Sequence, residues 1–296
     1  MRLRDLSPTE ASALIRRATE LKRRPDPAHH PLAGQNLAMI FAKNSTRTRV
    51  SFEVGMVKLG GNAIMLPVAQ TQLGRSEPLA DTARVLSRYC DGIIIRNDSQ
   101  VDQEELARHA SVPVINALSE LHHPCQLLAD MLTWTEHRRV LAGGTAAWVG
   151  DGNNVCNSWM EAARLFGFRL RLACPQGYEP DAETRAWAGD AVTLHASAAS
   201  AVEGADVVVT DTWTSMGQEG ESERRHVSFA DYCVDASLMA RAQPGALFMH
   251  CLPAHRGEEV ASDVIDGPAS VVWDEAENRL WAQMALLEWL MARVPI

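Results

Sequence analysis

Short runs of apolar residues, each leading into a stretch with helical spacing, recur along the chain and dictate its fold class. Residues 37–42, 63–66, 92–95 and 113–116 form one series of such runs, and 146–149, 170–173, 192–194, 207–210, 246–249 and 270–273 form a second. They read as buried strands. Strand, helix, strand repeated in two series implies an α/β chain of two domains, each a parallel sheet flanked by helices and linked by bridging helices. A helix and a Gly-rich turn over 125–144 place the boundary. The expected domains are residues 1–140 and 141–276, with the closing segment 277–296, including a last helix over 278–291, packing back on the first. A length of 296 residues suits two such cores.

The start of the first helix is legible in detail. Ser7 is an N-cap, Pro8 occupies the first helical position and Glu10 completes a capping box, with apolar periodicity running to about residue 21. No stretch of about 18 apolar residues appears and nothing near Met1 resembles a secretory signal, so a membrane span is not expected. Six cysteines at wide spacings, with no CxxC pair, suit a reducing, cytoplasmic setting. A net charge of −9 argues against general nucleic-acid binding, which needs a basic footprint.

In open parallel sheets ligands bind just past the carboxyl ends of strands, which directs attention to the loops there. Ser45, Thr46, Arg47, Thr48 and Arg49 follow the first strand and open a helix carrying Val50, Val54 and Val57. Free amides of a first helical turn, hydroxyls and guanidinium groups together suit a phosphate, although a capped helix start with two solvated arginines reads the same way. There is no Walker sequence. Arg96 follows the third strand, where it is either a surface arginine or a cation facing the crevice. His123, Pro124, Cys125 and Gln126 begin another helix; the histidine can donate to a carbonyl oxygen and the glutamine can fix an amide, or the tetrapeptide is a plain helix start.

In the second series, Gly150-Asp151-Gly152-Asn153-Asn154-Val155 invites a dinucleotide reading but lacks the third glycine and the acidic ribose partner. Asp211 lies just past a strand with Ser215 four residues on, a pair able to hold an α-amino group or simply form a turn. His250, Cys251, Leu252 and Pro253 close another strand. Cys251 reads as a nucleophile, a zinc ligand, an amine-orienting group or a buried thiol. Zinc and cysteine-protease chemistry lack supporting sequence context.

Taken together, these segments resemble the aspartate/ornithine carbamoyltransferase family over nearly the whole chain. Ser45 to Arg49 and His123 to Gln126 resemble its carbamoyl-phosphate motifs. Asp211 with Ser215-Met216-Gly217, and His250 to Pro253, resemble the ornithine branch. The resemblance implies that Ser45, Thr46, Arg47 and Thr48 hold the phosphate, that Arg96, His123, Gln126 and Arg279 hold the carbamoyl end, and that Gln72 reaches a neighbouring subunit's site. It implies that Asn157 and Met216 take the α-carboxylate of L-ornithine, Asp211 and Ser215 its α-amino group, with Cys251 and Leu252 beside the reacting amine. Arg47, Arg96, His123 and Cys251 are the expected catalytic residues. A homotrimer or a multiple of trimers follows from the same resemblance, and no cofactor or metal is called for.

The implied reaction gives L-citrulline and phosphate, as part of arginine metabolism. A neutral amine attacks the carbonyl carbon of carbamoyl phosphate, and positive groups stabilise the oxyanion and the departing phosphate. Carbamoyl phosphate is expected to bind first, with the domains then closing on ornithine. Ala42 and Asn44 stand where many relatives carry Glu and Pro, which removes no phosphate ligand. Acetylornithine, succinylornithine and putrescine are alternative acceptors, a catalytically silent relative is another reading, and the intact Ser215-Met216-Gly217 favours free ornithine.

Overall fold

The computed structural model describes residues 1–43, 45–75, 77–138, 140–214 and 219–292. Helix α1 (Pro8–Arg23) opens as its sequence requires: the Ser7 hydroxyl accepts from Glu10 N at 3.2 Å, and the Glu10 carboxylate accepts from Ser7 N at 2.8 Å. The box satisfies amides that a helix start otherwise leaves orphaned. Strands β1 (Asn36–Phe41), β2 (Asn62–Pro67), β3 (Gly92–Arg96) and β4 (Val114–Leu118) alternate with α2 (Thr46–Lys58), α3 (Leu79–Tyr89) and α4 (Gln100–His109), and α5 (Pro124–Arg138) follows. They form one sheet in the order β2-β1-β3-β4, every pair parallel.

A second sheet has the order β7-β6-β5-β8-β9, again wholly parallel. Its strands are β5 (Thr145–Val149), β6 (Arg169–Ala173), β7 (Val192–Leu194), β8 (Val207–Thr210) and β9 (Leu247–His250). Around them run α6 (Asn154–Phe166), α7 (Ala182–Ala188), α8 (Ala198–Val202), α9 (Ser222–Phe229), α10 (Ala236–Met239) and α11 (Ser262–Ile265), and α12 (Val272–Met291) is the last helix. The chain divides into two compact units, Met1–Leu132 with Glu277–Ile296, and Thr133–Ala276.

Each unit has its own core. Ala38, Ile40, Ile93 and Ile95 from the strands meet Ala83 and Leu106 from α3 and α4 in the first. Ala147, Val149, Val208 and Phe248 meet Ala201 and Val264 in the second. Burying each large apolar side chain stabilises the fold by roughly 1.5–3 kcal/mol before conformational entropy is set against it. Among the described residues no helix is long and apolar enough to cross a membrane.

Two expectations from sequence are corrected. Residues 270–273 form no strand: Ser270 makes a single parallel bridge to Phe248, and α12 begins at Val272. The last helix therefore starts six residues earlier than expected, because Asp274 and Glu275 suit the positive end of a helix and favour its first turn there. Val50, Val54 and Val57 do not face the core of their unit. They are 51%, 37% and 65% exposed, while Thr48, Phe52, Gly55 and Met56 fill the buried face of α2.

The sheet orders locate the sites. In the first sheet the chain leaves β1 toward β2 on one side, and β3 lies on the other; in the second, β5 has β6 on one side and β8 on the other. Such switch points open a crevice at the strands' carboxyl ends. The switch points fall after Phe41 and Arg96 in one unit and after Val149 and Thr210 in the other.

Candidate active site

In the first unit the site is built around Thr48. This residue lies in the opening turn of α2, is 2% exposed, and its hydroxyl accepts from Arg96 Nη1 at 3.1 Å and from Arg279 Nη2 at 2.9 Å. Arg96 ends β3, so the Thr48–Arg96 bond spans the β1/β3 switch point. Arg279 comes from α12 and also donates through Nη1 to Gln126 Oε1. Gln126 is in turn oriented by donating from Nε2 to Asp130 Oδ1 at 2.8 Å. Two guanidinium groups converging on one hydroxyl repel each other, so the arrangement suits an anion bound alongside.

His123 completes this cluster. Burial holds its imidazole well below the ordinary histidine range, and the charges of Arg279 and Arg96 add to the effect, so the ring is neutral at physiological pH. A neutral imidazole can donate to a carbonyl oxygen without adding a third cation. Cys125, its neighbour but one, is pushed up to about 11 by burial and is no nucleophile. Ser45 is the N-cap of α2 and its hydroxyl makes no capping bond, while Thr46 and Arg47 are exposed on the first turn. Gln72 is exposed on a short 3-10 turn, Gln72–Arg75.

In the second unit the centre is Asp211, directly after β8 and 7% exposed. Its Oδ1 accepts from the Cys251 thiol at 3.1 Å and from Thr212 N at 2.8 Å, and its Oδ2 accepts from Asn153 Nδ2 at 2.7 Å. Asn153 also caps α6, its Oδ1 accepting from Val155 N and Cys156 N at 3.0 and 3.1 Å. One amide thus ties the helix start to the carboxylate across the β5/β8 switch point. Sequence reading passed over Asn153; its signal was an Asn in the N-cap position after the central strand.

Asn157, expected at the ornithine carboxylate, is 3% exposed and its Oδ1 accepts from Asp181 N at 2.9 Å. Ser215 and Met216 lie outside the described residues. Gly152 explains the failed dinucleotide fingerprint: a Cβ there would lie 2.3 Å from Pro180 N, so this glycine admits the protein's own backbone. Asp151 beside it is raised to about 6, burial outweighing the Arg225 guanidinium that donates to it at 2.9 Å. Arg225 also donates to Trp213 O at 2.7 Å, fixing the chain after Asp211.

The turn after β9 is set by His250. Leu252 N donates to its Nδ1 at 2.9 Å, which assigns the ring proton to Nε2, 3.2 Å from Glu259 Oε1. Both His250 and Glu259 are fully buried. Leu252 takes a left-handed conformation with φ of 57°, costing about 1–2 kcal/mol for a non-glycine residue, and its peptide bond to Pro253 is cis. Asp211, His250 and Cys251 lie within 4.8 Å of one another, but the bonds just described already engage their carboxylate oxygens and both ring nitrogens.

Residues 1–136 match the family model described as the carbamoyl-P binding domain of aspartate/ornithine carbamoyltransferase, and residues 142–290 match its Asp/Orn binding domain. The chain belongs to the aspartate/ornithine carbamoyltransferase family. It is 58% identical over 289 residues to an ornithine carbamoyltransferase of Methylococcus capsulatus, covering 98% of this chain and 97% of that one. It is 55% identical over 289 residues to the anabolic ornithine carbamoyltransferase of Pseudomonas aeruginosa, covering 97% and 95%. Among solved structures, ornithine carbamoyltransferase from Pyrococcus furiosus superposes with a TM-score of 0.93 at 48% identity, covering 99% and 96%. Within this carbamoyltransferase frame residues 277–290 cross over: they fall within the stretch matched as Asp/Orn binding, yet they belong to the first unit, where Arg279 packs on Thr48 and Gln126.

Proposed function

We infer that this chain transfers the carbamoyl group of carbamoyl phosphate to the side-chain amine of L-ornithine. The observation that carries the reading is the convergence of Arg96 and Arg279 on Thr48 at the mouth of α2, inside the segment that the carbamoyl-P binding family model matches. Full-length identity of 58% to a named ornithine carbamoyltransferase supports the acceptor.

In this reading residues 1–140 with 277–296 bind carbamoyl phosphate and residues 141–276 bind ornithine. Ser45, Thr46, Arg47 and Thr48 hold the phosphate with the free amides of α2. Arg96, Gln126 and Arg279 fix the carbamoyl group, and neutral His123 donates to its oxygen as the tetrahedral intermediate forms. Asp211 orients the α-amino group, with Ser215 beside it; Asn157 and Met216 serve the carboxylate; Cys251 and Leu252 line the path of the reacting amine. The amine's lone pair forms the new C–N bond, its proton leaves to solvent or base, and the C–O bond to phosphate breaks. The products are L-citrulline and phosphate, a step of arginine metabolism.

Self-association as a homotrimer or a multiple of trimers is part of the reading. The exposed stripe of Val50, Val54 and Val57 on α2 supports it, because a row of large apolar side chains on one helix face favours burial against another chain. Gln72, which is exposed, is then the residue that reaches a neighbour's site. The cysteines are all free thiols, which supports a reducing, cytoplasmic setting. Initial rates of carbamoyl transfer, measured side by side with ornithine, N-acetylornithine, succinylornithine, putrescine and aspartate, test the acceptor. Ornithine is expected to exceed every other acceptor; a preference for another one overturns the assignment of Asp211 and Cys251.

A further inference from the structure

The turn after β9 carries a cluster that the transfer reaction does not use. His255 Nδ1 lies 3.7 Å from Glu259 Oε2, and ligand atoms of His255, Glu258 and Glu259 all lie within 4.8 Å of one another. His226, from α9, brings its Nε2 to 3.1 Å from Glu258 Oε2. Glu259 Oε1 is engaged by His250 and by His255 N, whereas Oε2 makes no hydrogen bond although the side chain is fully buried. An unsatisfied buried carboxylate oxygen is costly unless something positive completes it.

We propose that His255, Glu258 and Glu259 form a binding site for a divalent transition-metal ion, with zinc the best fit and His226 orienting Glu258. One imidazole and two carboxylates, with a fourth position open to water, suit tetrahedral zinc, and the two negative charges balance a dication. Ligand atoms about 2.0–2.1 Å from a tetrahedral ion sit about 3.3 Å from each other, close to the 3.7 Å between His255 Nδ1 and Glu259 Oε2. His226 is itself fixed: its Nδ1 lies 2.7 Å from the carbonyl oxygen of Ser222, which only accepts, so Nδ1 carries a proton and the ring presents Nε2 to Glu258.

The backbone presents the set. Glu258 N donates to His255 O at 3.0 Å and Gly257 N to Val260 O at 2.9 Å, closing a tight turn in which Gly257 takes a φ of 88°. Arg256, the cation inside the turn, is held away by paired bonds of 3.0 and 2.7 Å to Asp266. Because Glu259 also receives His250, the ion would share a carboxylate with the residue that precedes Cys251.

Calorimetric titration of the metal-stripped full-length protein with Zn2+ alone tests the site, together with C251S, H255A and H226A. One ion per chain is expected in the wild type and in C251S, with affinity at least about tenfold weaker in H255A and H226A. Co2+ in the same site is expected to give visible ligand-field bands without a thiolate charge-transfer band. No Zn2+ binding by the wild type, loss of binding in C251S, or unchanged affinity in H255A overturns the proposal. Both histidines are largely exposed, at 48% and 42%, so their replacement does not threaten the fold.

Discussion

Arg279 Nη2 donates to the Thr48 hydroxyl across 2.9 Å, joining residues 231 apart in sequence. The second arm of the guanidinium reaches Gln126, so one cation from α12 sets the geometry of two side chains carried on α2 and α5. R279M is therefore expected to lose about 10²–10³-fold in kcat/KM for carbamoyl phosphate, the range found on removing one preorganised donor to a developing charge. Steady-state kinetics of the folded variant, with circular dichroism as the control, measure it.

The same substitution has a second readout. Burial and the charges of Arg279 and Arg96 hold His123 below its ordinary range. Taking Arg279 away removes one repulsive charge, so the His123 ring is expected to titrate at higher pH in R279M than in the wild type. Histidine-resolved NMR titration detects the shift; an unmoved or lowered titration contradicts the electrostatic description.

Stability should respond to acid through two groups of opposite sign. His123 titrates lower folded than unfolded, so the stability tied to its neutral form is present above about 6.5 and is lost as pH falls below that value. Asp151, raised from 3.8 to about 6, does the reverse: the protonated form favours the fold, and that contribution is lost as pH rises through 6. Between these limits the two offset each other. D151N removes the second effect, so its melting temperature is expected to fall more steeply than the wild type's as pH drops from 6.5 to 4; thermal melts over that range test it.

Much of this was legible before any coordinates. Apolar runs gave the positions of nine strands, most clearly in the sheet interiors, where strands covered on both faces are apolar throughout. The tenth run, 270–273, failed because periodicity cannot separate a four-residue strand from a helix start, and the acidic pair Asp274 and Glu275 settles the matter. Helical spacing likewise showed that Val50, Val54 and Val57 share a face of α2, but not that this face is exposed. Thr48, Arg96, Gln126 and Arg279 were each expected in the first half-site; their convergence on one hydroxyl depends on pairings distant in sequence. Asn153 and Glu259 were missed because each acts through a partner that only the fold brings near.

Asp211 and Cys251 should separate in their effects. D211N exchanges an acceptor for a group that donates, which unbalances bonds to Cys251, Thr212 and Asn153. KM for ornithine is expected to rise at least about tenfold, with carbamoyl-phosphate binding unchanged. C251S keeps a donor toward Asp211 and is expected to retain measurable turnover. Saturation curves for each substrate distinguish the two variants.

The reacting amine poses a protonation problem. A free alkylamine titrates near 10.4, about the value for lysine, and only the neutral form attacks. If the cationic half-site and desolvation beside Cys251 depress that value, activity is expected to rise across about pH 6 to 9 as the bound amine deprotonates. A flat profile of kcat/KM for ornithine over that range counts against this step.

Product stoichiometry tests the central claim most directly. The purified protein, supplied with carbamoyl phosphate and L-ornithine alone, is expected to form citrulline and inorganic phosphate in equal amounts. Phosphate release without citrulline, or carbamoylation of a different acceptor in preference to ornithine, would contradict the account.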